Sequence, residues 1–196
     1  MGDSLASGWG AIPVTQGYAY LLYQQGTFDK LTNTIFANAG VPGATSTDVL
    51  NFQVPQAVND FQPQVVTISV GGDDLLKILG GAIPADVLTT FQTNLTNILG
   101  TLRTRLPPDA LIIIGNQYDI PEITGPLKAF PIIVAFNDII TGVAKATGVR
   151  VADVFHAFQG RNGLLLIERH SADDFEVHPT NAGYRVMAAA FAAAAQ

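Results

Sequence analysis

Short apolar runs alternate with longer stretches of helical spacing along this 196-residue chain. "TNTIFANAG" (32–40) reads as a strand ending at Gly40, and "QVVTISVGG" (64–72) as a buried strand ending at Gly71 and Gly72. "ALIIIGNQ" (110–117) and "VRVADVF" (149–155) supply two more. Runs this continuously apolar suit parallel strands covered on both faces. Between them, "PADVLTTFQTNLTNILGTLRTRL" begins at Pro84 and repeats apolar residues every three or four positions, from Leu88 through Phe91, Leu95, Ile98 and Leu102 to Leu106, which is one face of a helix. "AFPIIVAFNDIITGVAKATG" ends at Gly148, a suitable C-cap, and the Ala-rich tail predicts a last helix capped by Thr180 or Asn181. Strand and helix thus alternate, which predicts an α/β fold of three layers, α/β/α, with a mainly parallel sheet. No repeat or long linker divides the chain, so residues 1–196 are expected to form a single domain.

Composition narrows the function. With 48% hydrophobic and 13% charged residues the chain is globular. Its net charge of -6 and lack of a basic stripe argue against nucleic acid as a partner. Having no cysteine, it has no thiol nucleophile, disulfide or Cys-ligated zinc. The apolar runs are strand-sized or interrupted, so stable membrane insertion is not expected. No signal peptide precedes Gly2, and because the N-terminus falls inside the first motif, localisation stays unknown.

In an open α/β sheet, ligands bind beyond the carboxyl ends of the strands. Several reactive residues fall there. Ser4 stands in "MGDSLASG"; a serine becomes a nucleophile only with a base in reach. Three histidines are available, His156, His170 and His178, and His178 sits among Asp173, Asp174 and Glu176, directly before Pro179. A carboxylate on the far ring nitrogen would fix its tautomer and stabilise the imidazolium. Gly40 offers an unshielded backbone N–H at a strand end, and Asp73, in "GGDDL", places a polar side chain at a comparable one; groups of this kind can face a developing oxyanion. The set His170, Asp173, Asp174 and His178 also has the residue types of a hard or borderline metal site.

The order of these pieces resembles the SGNH (GDSL) hydrolase family. "GDSLASG" is similar to its first block, "NAGVPGATSTDVL" to its second, "GGDD" at 71–74 to its third, usually Gly-x-Asn-Asp, and "DDFEVHP" to its last, usually Asp-x-x-His-Pro. The blocks run from residue 2 to residue 179. The resemblance implies a flavodoxin-like three-layer fold. It implies hydrolysis of small-molecule esters or thioesters, with no cofactor and no metal. Ser4 would be the nucleophile and His178 the base, with Ser4, Gly40 and Asp73 at the oxyanion hole. Short acyl groups are the expected substrates.

Three departures stand out. The family's third-block asparagine is Asp73 here, and a carboxylate donates to an oxyanion only when protonated. The position three residues before His178 is Phe175, so the acid is Asp174, one residue early, or Glu176, one residue late. In an extended segment residues two apart share a face, which favours Glu176; in a turn-like segment with one extra residue Asp174 swings under the ring, and Asp174 is the preferred acid here with Glu176 kept beside it. Finally, the strand that should deliver Ser4 is largely missing, since only Met1 precedes the block. Unpaired edges beside it would invite self-association at the incomplete sheet. The alternative function is a degenerate member that keeps the pocket and binds ligand with little or no turnover.

Overall fold

The computed structural model describes residues 1–28, 34–119, 130–169 and 175–196. Strands β1 (Val65–Ile68), β2 (Leu111–Gly115) and β3 (Arg150–Ala152) form a parallel sheet in the order β1-β2-β3. Val65 lies opposite Leu111, and Ile113 opposite Arg150. Strand alternation divides β2 between two cores. Ile112 and Ile114 face Phe91, Leu95, Ile98 and Leu102 of the long helix together with Phe136 and Ile140, while Ile113 faces Tyr18, Leu22, Tyr184, Met187 and Phe191. The helices on the two faces make the expected α/β/α layering.

In chain order the helices are α1 (Ser4–Ser7), α2 (Tyr18–Gln24), α3 (residues 46–61, α and π turns in alternation), α4 (Gly72–Leu79), α5 (Pro84–Arg105), α6 (Phe130–Thr147), α7 (Val154–Phe158) and α8 (Asn181–Ala194). Pro84 opens α5 as expected, and Gly148 follows α6 with φ 66°. Thr180 is the N-cap of α8, accepting from the Gly183 N–H at 3.2 Å. Asn181 does something else, described below.

The first lane of the sheet is three residues long. Ser69 N–H donates to Met1 O at 3.2 Å, and Asp3 N–H donates to Ser69 O at 2.9 Å, so Met1–Asp3 runs parallel to the end of β1. Gly2 has φ 129°, and any Cβ there would collide with the Ser69 carbonyl. The outward groups of Gly2 are not left open. Gln53 of α3 accepts from the Gly2 N–H through Oε1 at 2.6 Å and donates to Gly2 O through Nε2 at 2.8 Å; Val41 N–H donates to the same oxygen at 3.0 Å. Gln53 is buried. Its side-chain amide occupies the place a neighbouring peptide would take beside Gly2.

Two expectations change. Residues 34–40 are not a strand. A strand needs a ladder, and the outward groups of Gly2 are already engaged by Gln53 and Val41. The reverse holds near the C-terminus. β4 (Leu165–Arg169) and β5 (Phe175–Pro179) pair antiparallel, with Leu166 opposite His178. The acid-rich stretch before His178 does not announce this ribbon.

Candidate active site

Ser4 is the first residue after the short lane. Asp3 leaves it in an extended conformation and caps α1, its Oδ1 accepting from the Leu5 N–H at 3.0 Å. The one-turn helix stops at Gly8, whose φ of 85° suits glycine. Ser7 Oγ and Trp9 N–H both donate to Ser4 O, at 2.8 and 3.0 Å. The backbone that carries Ser4 is therefore fixed from both sides.

His178 arrives on β5 and its Nε2 lies 2.8 Å from Ser4 Oγ. The loop after α1 joins the two. Gly10, φ 81°, packs so closely on His178 that an added Cβ would lie 2.9 Å from the histidine Cβ. The Trp9 ring is 6.4 Å from the imidazole. Tyr184 Oη donates to Trp9 O at 2.6 Å. Asn181 holds Ile12 twice, donating to its carbonyl at 2.6 Å and accepting from its N–H at 2.9 Å. Both residues belong to α8, which begins three residues after His178, so the serine loop and the histidine strand are tied to one helix start.

The remaining candidates separate. Asp174, with His170 and Asp173 of the metal alternative, lies outside the described residues. Glu176 is in β5, two residues before His178. Among the described residues no group of three or more metal-ligating side chains comes together. Gly40 differs from expectation: its N–H donates to Asn38 Oδ1 at 2.9 Å, while Asn38 Nδ2 donates to Ala6 O at 2.9 Å. Gly40 is a glycine because α1 presses on it; a Cβ would sit 2.5 Å from Ser7 N. The turn that follows closes with Ala44 N–H donating to Val41 O at 3.1 Å. Its third residue, Gly43, has φ 81° and open space around it, and its N–H is not the one that closes the turn. Pro-Gly at 42 and 43 is the sequence signal for such a turn, with the glycine at the position needing positive φ.

Asp73 is half-buried in the first turn of α4, after Gly71 with φ 119°. Burial pushes its carboxyl up to about 6, helped by the charges of Asp74 and Asp48. Asp3 is buried and goes up to about 7, through burial first and then the charge of Asp73. A Cβ on Gly72 would lie 3.6 Å from Asp3 Oδ2, so the start of α4 faces the cap that precedes Ser4. Elsewhere, His156 Nδ1 is 2.7 Å from Asp153 Oδ2. This pair has the Asp-x-x-His spacing, but both side chains are more than half exposed, at 68% and 55%, and Asp153 serves as the N-cap of α7. It is a solvated helix cap and not part of the Ser4 site.

Residues 1–186 match the sequence profile of the GDSL-like lipase/acylhydrolase family. The chain belongs to that family. This GDSL protein is a carboxylic ester hydrolase by membership. Its fold is shared with solved structures. It aligns to TesA with TM-score 0.71 and 23% identity, over 96% of this chain and 92% of that one. An extracellular lipase from Streptomyces rimosus aligns with TM-score 0.67 and 20% identity, over 98% and 97%. An acetylxylan esterase from Geobacillus stearothermophilus aligns with TM-score 0.70 and 18% identity, over 98% and 90%. No curated protein matches the sequence of this GDSL hydrolase. Among its described residues no helix is long and apolar enough to cross a membrane.

Proposed function

We propose that this hydrolase cleaves small-molecule carboxylic esters through an acyl-enzyme on Ser4, with His178 as general base. The supporting observation is the 2.8 Å contact between His178 Nε2 and Ser4 Oγ, within the range a base needs to take the hydroxyl proton. Ser4 Oγ attacks the acyl carbonyl as His178 accepts its proton. His178 returns the proton to the leaving alkoxide, then activates water to release the acid.

The oxyanion is met by the N–H of Ser4, at the open end of α1, and by the turn after Gly40. Gly43 is the better donor of the two glycines, because the Gly40 N–H is already given to Asn38. Asp73 contributes only as the neutral acid. The third member of the triad is Glu176 or Asp174, and the extended course of β5 favours Glu176.

Short acyl groups fit the surroundings. A cavity of about 190 Å³, lined by residues that include Phe155, Phe158, Arg161 and Leu165, has neither Ser4 nor His178 in its wall. The apolar residues flanking the site, Trp9 and Val41, are half exposed. That exposure favours short acyl groups over long ones.

The test is hydrolysis of p-nitrophenyl esters of increasing acyl length by the wild type and by Ser4→Ala and His178→Ala. Activity lost in both variants and highest on acetate or butyrate supports the reading. Equal activity in Ser4→Ala overturns it. The Asp73 carboxylate favours a second reading, a binding protein with little turnover; failure of Ser4 to react with a fluorophosphonate would select it.

A further inference from the structure

We infer that Asp74 is a positioning residue, clamping the turn that holds Gly43 to the helix start that bears Asp73. The inference rests on the oxyanion arrangement proposed above. Asp74 is only 2% exposed, and both of its oxygens are used by one residue. Oδ2 accepts from the Ser46 N–H and Oδ1 from the Ser46 hydroxyl, each at 2.8 Å. Ser46, fully buried, is the first residue of α3 and lies three residues after Gly43. Asn94 of α5 reinforces the joint, donating to Ser46 Oγ at 3.0 Å and to Thr47 Oγ1 at 2.9 Å.

The local cap of α3 does not reach the Ser46 N–H, which Asp74 takes from another helix. The α3 N-terminus already has a local capping box, in which Thr45 N–H and Thr45 Oγ donate to Asp48 Oδ2 at 2.9 and 2.7 Å. Asp74 adds a second, long-range anchor from a different helix. Among the described residues the one ion pair is that of Asp153 with His156, so Asp74 is compensated by hydroxyl and peptide dipoles and not by a cation. Burying a carboxyl group on those terms is costly unless every oxygen is satisfied. What the two bonds provide is direction: a bidentate joint fixes both distance and angle between the elements it links. An oxyanion hole works because its donors are set before charge develops, and a misplacement of roughly 1 Å costs about a hundredfold in rate.

Asp74 also reaches the site through its charge. The charges acting on Asp73 are those of Asp74 and Asp48, which raise its pKa, and Lys77 on the same helix, which lowers it; Asp73 in turn raises the buried Asp3. Replacing Asp74 by asparagine removes one of the raising charges; replacing Ser46 by alanine does not. That difference separates a positioning role from a merely structural one.

The experiment compares Ser46→Ala, Asp74→Asn and the double variant with the wild type on p-nitrophenyl acetate, reading kcat, KM, the pH profile of kcat and Tm. We expect each single variant to lower kcat about tenfold with KM within about twofold, since the loss falls on the transition state. The double variant should lose little more than the worse single, because both remove the same joint. Asp74→Asn, and not Ser46→Ala, should shift the fall in kcat on the alkaline side to lower pH. Should Asp74→Asn fail to fold, Asn94→Ala loosens the same joint more gently and is expected to lower kcat in the same direction. Wild-type kcat in every folded variant, with only Tm reduced, overturns the inference. The two readings fail separately: full activity in Ser4→Ala removes the proposed site, whereas an inactive Ser4→Ala beside fully active clamp variants removes the clamp alone.

Discussion

Asp73→Asn should make this enzyme faster, by a factor that depends on pH in a calculable way. The carboxyl of Asp73 is pushed up to about 6, with burial as the leading cause. Below that pH it is a neutral acid that can donate to an oxyanion; above it, the anion repels the charge that develops in the transition state. A histidine base needs the opposite condition, being neutral above its ordinary pKa of about 6.5. An amide donates at every pH. If acid and amide donate equally well, the gain from Asp73→Asn is about twofold at pH 6, about thirtyfold at pH 7.5 and about three-hundredfold at pH 8.5, a slope of one decade per pH unit above the pKa. The assay is kcat on p-nitrophenyl acetate for both proteins from pH 5 to pH 8.5, corrected for spontaneous hydrolysis. A bell-shaped wild-type profile beside a plateau in the variant is the expected pair. A ratio of the two proteins that stays constant with pH would refute the reasoning, because it would mean that no titrating carboxyl stands at the oxyanion.

Gly10→Ala places a Cβ 2.9 Å from the His178 Cβ at φ 81°, and kcat should fall tenfold or more by an order-of-magnitude judgement, since the base is displaced from Ser4; unchanged kcat would show that the loop does not hold the imidazole. Gln53→Leu leaves the Gly2 N–H buried without its acceptor and should lower unfolding stability by about 2 kcal/mol in urea denaturation. Asp3, raised to about 7 in the folded protein, binds a proton there that the unfolded chain releases near pH 4, so stability attributable to it is present in acid and declines as pH rises. The Met1 amine, lowered to about 6, acts in the opposite sense above pH 6, which makes pH 4 to 6 the window to read: wild-type Tm should fall across it more than the Tm of Asp3→Asn. Finally, Glu176→Gln and Asp174→Asn separate the triad acid, and the true partner should cost roughly a hundredfold or more in kcat while the other stays within a few-fold.

Elements whose signal is local were legible in the sequence. The apolar run 110–117 and the helical spacing from Pro84 to Leu106 carry their own periodicity, and β2 and α5 lie where those patterns put them. Thr180 caps α8 because a side-chain oxygen beside a helix start needs only its own neighbours. Ser4 and His178 were legible as a pair because their blocks come in a recognisable order, and they stand 2.8 Å apart. What escaped depends on partners distant in sequence. The run at 34–40 has strand composition but no ladder to join. The β4–β5 ribbon exists through cross-strand pairing such as Leu166 with His178. Gly40 and Gly43 are alike as letters; the bond that the Gly40 N–H donates to Asn38 Oδ1 distinguishes them. Nothing in the spacing of Gln53, Ser46 or Asp74 tells that each reaches across to another segment. The Asp153–His156 pair shows the converse, a motif spacing met by exposed residues.

The glycine at position 2 has a bearing on how reliably Ser4 is delivered. A strand that docks shifted by one turns its side chains to the opposite face. At the point of contact with the Ser69 carbonyl there is no room for a Cβ, and φ is 129°. Neither Met1 nor Asp3 can occupy that point, so a shift in either direction is blocked sterically. Gly2 therefore acts as an index mark, Asp3 as the cap that starts the next turn, and Ser4 as the residue whose position the first two determine. The order of letters in Gly-Asp-Ser is an alignment device, and a substitution at Gly2 would misdirect the serine while leaving every other residue of the site intact.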